Sequence, residues 1–291
     1  MKLLATVDVL KKFESYLDIK PSSVRTYLTG IRSFQNFLNG NTNPNRQDVL
    51  SFKKSLIETL KPSTVATYLA GVRRFFQWTD TEKIYPNITK GVKAPKLNKG
   101  FKKDIFTSTQ LKEILRTIDS KRDYAVFSLM ATCGLRTVEI SRARVEDLRT
   151  LNGQSVLFVQ GKGRTERTEF VKLSKPVEAA LCFYLKERKY QSDFLFTGEG
   201  NKNQHGQLTT RTISAIAKNA MIHAGYNSSR LTAHSLRHTA ITLALLNGST
   251  LQEVKEFARH ENVSTTLLYS HNIDRIKSNI EETISRGIFL E

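Results

Sequence analysis

Ser155-Val-Leu-Phe-Val-Gln-Gly-Lys-Gly-Arg-Thr-Glu-Arg-Thr-Glu-Phe-Val-Lys-Leu173 is the stretch on which the fold class turns. Its apolar runs, 155–160 and 165–173, flank the turn Gly161-Lys162-Gly163-Arg164, and runs meeting at a Gly-x-Gly turn read as a β-hairpin. A short Phe194-Leu-Phe196 is the one further strand candidate. Around this hairpin the pattern is helical: a run opens at Thr107, others cover 123–131, 209–223, 235–246, 251–258 and 273–284, with apolar residues at helical spacing. The expectation for this half of the chain is mainly α with a small antiparallel sheet, an α+β domain.

The first hundred residues show no sustained alternation of apolar and polar residues. They carry a near-repeat instead. Pro21-Ser-Ser-Val-Arg-Thr-Tyr-Leu-Thr-Gly-Ile-Arg32-Ser-Phe34 returns 41 positions later as Pro62-Ser-Thr-Val-Ala-Thr-Tyr-Leu-Ala-Gly-Val-Arg73-Arg-Phe75. Each copy begins with proline at a helix start and spaces Val, Leu, Ile or Val, and Phe along one helical face. Two copies are too few for a solenoid, so a four- or five-helix bundle is expected. Between Val92 and Asp104, Pro95, Gly100 and five lysines stand without apolar periodicity. That segment reads as a basic linker running along DNA, with a solvated surface loop as the plainer alternative. The organisation expected is a helical domain over 1–92, the linker over 93–104 and a second domain over 105–291.

At 291 residues the chain is long enough for two cores. Lysine and arginine number 45 against 27 aspartates and glutamates, a net charge of +18. Such a field attracts polyanions and makes affinity for a phosphate backbone salt-dependent. Nucleic acid is therefore the expected partner. No stretch approaches the roughly 20 apolar residues that span a bilayer, and no signal peptide opens the chain, so a cytoplasmic protein without a membrane partner is expected. Cys133 and Cys182 form no CxxC or Cys/His cluster; both read as reduced, mostly buried thiols rather than a disulfide or zinc framework.

Six residues compose a site for phosphodiester chemistry: Arg136, Lys162, His234, Arg237, His260 and Tyr269. Attack on a phosphodiester needs a nucleophile held in line and cationic donors around the nonbridging oxygens. A guanidinium stays charged and can bind two phosphate oxygens at once, which suits Arg136 and Arg237. Taken alone, Arg136 would be an ordinary surface arginine paired with Glu139 three positions on. In His234-Ser-Leu-Arg237-His238, residues three apart share a helix face, so His234 and Arg237 address one ligand. The alternatives for His234 are a core histidine or a metal pair with His238, but no HExxH glutamate or third ligand accompanies that pair. His238 itself is expected to support packing, with a nearby hydrogen bond possible. Lys162 stands between two glycines that let the backbone approach DNA closely; alone it would be a lysine on an ordinary hairpin. Tyr269, one of nine tyrosines, is a phenol with an ordinary pKa near 10 that needs cations or a base to become nucleophilic.

Together, Gly134-Leu135-Arg136-x-x-Glu139, Gly161-Lys162-Gly163-Arg164-Thr165-Glu166-Arg167, His234-Ser-Leu-Arg237-His238 and His260-Glu-Asn-Val-Ser-Thr-Thr-Leu-Leu-Tyr269-Ser-His271 resemble, in this order, the four boxes of the tyrosine recombinases. Three departures are visible. Val138 stands where the family often has a small residue, one residue fewer separates Gly163 from the Glu-Arg pair, and Arg259 stands where glycine commonly precedes the histidine. The resemblance covers nearly the whole chain, the helical half resembling the family's core-binding (SAM-like) domain and 105–291 its catalytic domain.

This resemblance implies a C-shaped clamp on duplex DNA carrying a specific recombination site. It implies attack by Tyr269 to give a 3′-phosphotyrosine and a free 5′-hydroxyl, with Lys162 protonating the departing oxygen, and strand exchange through a Holliday junction by a homotetramer on two sites. Neither cofactor nor metal is implied, and one phosphoester replaces another, so ATP is not needed. Ile273, Ile276, Ile280 and Ile284 followed by Ile288-Phe289-Leu290 resemble the terminal segment that relatives insert into a neighbouring protomer, the alternative being packing in cis. The chain opens almost directly on the core-binding domain, which suggests a simple system without an arm-binding domain: resolution of dimers or cointegrates, or integration and excision of a mobile element, with accessory proteins undefined. The competing readings are a type IB topoisomerase, which rejoins the same strand, and an architectural DNA-binding protein that has lost catalysis.

Overall fold

The computed structural model describes residues 7–96, 104–161, 166–198, 206–277 and 280–289, the side chains at 7, 271–277, 280–281, 283 and 289 lying outside that description. The chain forms two compact units, Met1–Lys99 and Gly100–Glu291.

In the first unit four helices are described: α1 (Val7–Tyr16), α2 (Pro21–Leu38), α3 (Arg46–Thr59) and α4 (Pro62–Thr81). The near-repeat is the α2–α4 pair, and Pro21 and Pro62 sit in the first turns, where a missing N–H costs nothing. Asn45 and Asp48 cap α3 reciprocally. The repeated glycine explains how the two helices fit. A Cβ on Gly30 would lie 2.7 Å from the Tyr68 carbonyl oxygen, and one on Gly71 would lie 2.7 Å from that of Tyr27. Each helix therefore presses its backbone into the other at the matching position. Phe13, Phe34, Phe52, Phe75 and Phe76 fill the core beneath them.

The second unit holds α5 (Ser108–Arg116), α6 (Lys121–Thr132), α7 (Thr137–Arg142), β1 (Leu148–Leu151), β2 (Gln154–Val159), β3 (Glu169–Lys172), α8 (Lys175–Glu187), α9 (Thr210–His223), α10 (Ala233–Leu246), α11 (Leu251–Ala258), α12 (Val263–Lys277) and α13 (Ile280–Phe289). The expected hairpin is β2–β3, antiparallel with Leu157 opposite Val171, and β1 extends it on the other side to the order β1-β2-β3. The first strand, Leu-Arg-Thr-Leu, has one half-buried residue and three exposed ones, too weak a pattern to read from sequence. Phe194 does not begin a strand; it makes an isolated bridge to Arg144. Phe127, Leu129, Leu157, Phe196 and Met221 bring α6, the sheet and α9 into one core.

One further expectation is revised, and two fall partly outside the described residues. Cys133 is buried, but Cys182 is exposed on α8. The helix expected over 273–284 falls on α12 and α13, with 278–279 outside the described residues. Of the basic linker, 97–103 lies outside the described residues.

Candidate active site

The site is built where α6 ends. Gly134 turns the chain with φ +58°, and a Cβ there would sit 3.2 Å from the Phe257 ring, so both conformation and space favour glycine. Its carbonyl oxygen accepts from Arg237 Nη1 at 2.5 Å and from Arg259 Nη2 at 3.5 Å. Two residues on, Arg136 gives its backbone N–H and Nη1 to the two oxygens of Glu139, at 2.8 and 2.7 Å. The pairing that would make Arg136 an ordinary surface residue is thus present, yet its carboxylate partner is fully buried while the arginine keeps 29% exposure.

Arg259 reaches the same carboxylate at 2.9 Å, its own side chain 3% exposed. Burial pushes the Glu139 carboxyl upward, but Arg259 and then Arg136 outweigh it, so its pKa lies below the ordinary carboxylate value. Arg237 is 2% exposed and also donates to the Ala258 carbonyl. Burial, together with repulsion from Arg136 and Arg259, lowers its pKa to about 9. Three guanidiniums against one carboxylate leave two positive charges uncompensated in a desolvated place. Such a cluster is complementary to a phosphodiester anion.

Tyr269 comes from α12 and is 5% exposed, packed with Ile241, Val254 and Ala258. Burial raises its pKa to about 12, although Arg237 and Arg136 pull the other way. Its hydroxyl shares a short hydrogen bond with His238 Nδ1. His260 stacks on the Tyr269 ring with centroids 6.3 Å apart and holds Thr266 Oγ1 at 3.0 Å through Nδ1. Burial, with Arg237, Arg136 and Arg259 adding to it, lowers the His260 pKa to about 4, so the imidazole is neutral near pH 7. His234 lies one turn before His238, rings edge to face at 4.5 Å, and is exposed at the rim. It lines, with Arg136, Thr137, Ser214, Lys218 and Thr232, a groove of about 760 Å³.

The structure therefore gathers Arg136, Arg237, His260 and Tyr269, and places His234 at the edge. Lys162 lies outside the described residues. The flanks of its turn are held: Arg142 Nη1 donates to the Gly161 carbonyl at 3.2 Å, and Arg167 Nε pairs with Asp147 at 3.1 Å. His238 changes role, from packing to direct contact with the tyrosine hydroxyl. Its signal was the four-residue spacing from His234, which puts both rings on one face. Arg259 had no such signal. It adopts φ +53° as the left-handed cap of α11, a conformation that suits glycine, and only the fold carries its guanidinium to Glu139. Among the described residues no three metal-ligating side chains assemble.

Residues 104–275 match the phage integrase family, and residues 10–83 match the phage integrase N-terminal SAM-like domain. The tyrosine recombinase XerA of Pyrococcus horikoshii is 27% identical over 266 residues, 90% of this chain and 88% of that protein. The structure resembles the XerH site-specific recombinase bound to palindromic difH in a post-cleavage complex, with TM-score 0.74 and 22% identity over 90% of this chain and 79% of the other. It also resembles a lambda integrase tetramer bound to a Holliday junction, with TM-score 0.71 and 15% identity over 89% and 76% of the two chains.

Proposed function

The chain belongs to the phage integrase family and is a tyrosine site-specific recombinase, and from that premise we propose that Tyr269 cleaves one strand of a specific duplex DNA site as a 3′-phosphotyrosine. The observation that carries this reading is the Tyr269 hydroxyl bonded to His238 beside the three-arginine, one-carboxylate cluster. His238 Nδ1 takes the phenol proton as the tyrosine oxygen attacks phosphorus. Arg136 and Arg237 bind the nonbridging oxygens, where charge builds in the transition state. In the tautomer that leaves Nδ1 as the acceptor of the Thr266 hydroxyl, neutral His260 donates to the phosphate from Nε2; His234 donates from the rim. As the phosphorus–O5′ bond breaks, Lys162 gives its proton to O5′. The 5′-hydroxyl of a partner strand reverses these transfers, and since a phosphoester is present at every stage, ATP is not required.

We propose further that two domains, a helical one over 1–92 and a catalytic one over 105–291, both engage the duplex, and that the reaction proceeds through a Holliday junction in a homotetramer on two sites. The lambda integrase tetramer on such a junction supports this by likeness of fold. Ile284 and Ile288, one turn apart on α13, are 55% and 67% exposed, which supports a tail seated in a neighbouring protomer. No helix among the described residues is long and apolar enough to cross a membrane, and action on DNA supports our reading of a cytoplasmic enzyme.

The test is a nicked duplex from the DNA flanking the gene, in which cleavage releases a short fragment and traps the intermediate. Wild type is expected to form an adduct stable to denaturation, its nucleotide carried by the tryptic peptide 260–275, in which Tyr269 is the sole tyrosine. Tyr269→Phe is expected to form none. Tight, specific binding with no adduct would overturn the reading.

A further inference from the structure

We infer that Arg259 is a positioning residue for phosphate cleavage: it takes up the charge of Glu139, so that Arg136 keeps its cation for the DNA. The inference rests on the function proposed above. Glu139 is fully buried and accepts three hydrogen bonds, two from Arg136 and one from Arg259 Nη2. A buried carboxylate must be compensated. If Arg136 were its only cation, the pair would be neutral and the arginine would be tied to its neighbour instead of the substrate. Arg259 removes that conflict.

The geometry gives Arg259 little else to do. Its side chain is 3% exposed, and Nη1 goes to the Phe257 carbonyl at 2.7 Å. Nη2 spans Glu139 and the Gly134 carbonyl, the same oxygen that receives Arg237. Arg259 thus touches the immediate supports of both phosphate-facing arginines. Its backbone sits at φ +53°, where a non-glycine residue is strained. The side chain is kept at this place despite that cost, and the contacts with Glu139 and Gly134 are the compensating gain.

Charge counting makes the idea testable. Arg136, Arg237 and Arg259 against Glu139 carry +2, Arg259→Gly leaves +1, and Glu139→Gln with Arg259→Gly restores +2. Glycine suits the backbone conformation, so the single change removes the guanidinium while relieving strain. On the nicked duplex, Arg259→Gly is expected to form adduct about tenfold more slowly than wild type, an effect of the size seen when an orienting residue behind a reactive group is lost. The double variant is expected to recover most of that loss. On the same duplex with a methylphosphonate at the cleaved position, where the phosphate charge is absent, the difference between wild type and Arg259→Gly is expected to shrink to about twofold or less.

An Arg259→Gly protein that cleaves the charged duplex at the wild-type rate overturns the inference. So does an equal loss on charged and neutral phosphates, or a double variant no faster than the single one, since either result means a purely structural arginine. Should Arg259→Gly fail to fold, the double variant, which has no buried carboxylate left to compensate, is compared directly with wild type on both duplexes; a tenfold deficit on both overturns the inference. Absence of adduct from wild type would instead strike the proposed function and leaves these ratios without a reference.

Discussion

The two units of this chain solve the problem of burial in opposite ways. In the helical unit the buried polar residues among those described are Thr79 and Thr89, and everything else in the core is apolar. In the catalytic unit Glu139, Asp147, Arg237 and Arg259 are all buried. The first unit relies on shape: Phe13 meets Phe75 edge to face at 5.3 Å, Phe75 meets Phe76 at 5.3 Å, and two glycines let α2 and α4 touch through their backbones. The second accepts the desolvation of charges, which is costly unless they are paired and hydrogen-bonded. The excess of positive charge that results destabilises the free protein, and a bound phosphate would relieve it. An enzyme for anions thus stores part of its substrate recognition as incomplete compensation in its own core.

The largest effect that would sharpen this contrast is in the arginines. Arg136→Ala is expected to slow adduct formation by about 10²–10³-fold, the usual cost of one lost charged donor. Thermal unfolding should move little, because Arg136 is partly exposed and Glu139 keeps Arg259. Arg237→Ala is expected to slow cleavage comparably and also to lower the melting temperature, since the carbonyls of Gly134 and Ala258 lose their donor. A kinetic defect without a stability difference between the two variants would break the distinction drawn here between the exposed and the buried guanidinium.

An intermediate effect belongs to the helical unit. Gly30→Ala and Gly71→Ala each force a methyl group against backbone and are expected to cost about 1–3 kcal/mol in chemical denaturation. At saturating DNA and well below the melting temperature, both should form adduct at the wild-type rate. A change in the cleavage rate itself would mean that shape in one unit and chemistry in the other are coupled.

The smallest effect is a pH dependence. The folded His260 pKa, about 4, lies under the ordinary 6.5, so between those values the unfolded chain binds more protons than the native one. This stabilisation is complete above pH 6.5 and is lost as pH falls towards 4. Allowing for the partial exposure of the ring, wild type is expected to lose about 1 kcal/mol more than His260→Asn between pH 7.5 and 5 in urea unfolding. Parallel curves for the two proteins would place His260 outside the field of the arginine cluster.

Much of the site was legible in one dimension because its residue types are chemically narrow and its spacings are helical. His234 and Arg237 share a turn, and the nine-residue separation of His260 from Tyr269 resembles that of the family's last box. The hairpin was legible through apolar runs flanking a Gly-x-Gly turn, whereas β1 was not, because an edge strand with three exposed residues carries no burial pattern. The tail was legible as helix: its isoleucines stand at helical spacing, and the described residues on either side of 278–279 belong to α12 and α13.

By itself the sequence determined the helical character of the first unit, the α+β character of the second, the net positive charge, and which arginines, histidines and tyrosine could serve one reaction. The first three follow from local backbone preference, periodic burial and composition, none of which needs long-range information, and the site residues stand out through the order and spacing of the four boxes that resemble the tyrosine recombinases. Only the tertiary structure decided that His238 holds the Tyr269 hydroxyl and that Arg259 shares Glu139 with Arg136. Those contacts join residues 31 and 120 positions apart. A hydrogen bond or ion pair depends on ångström distances in a desolvated place, and only the packing of α6, α7, α10, α11 and α12 sets those distances.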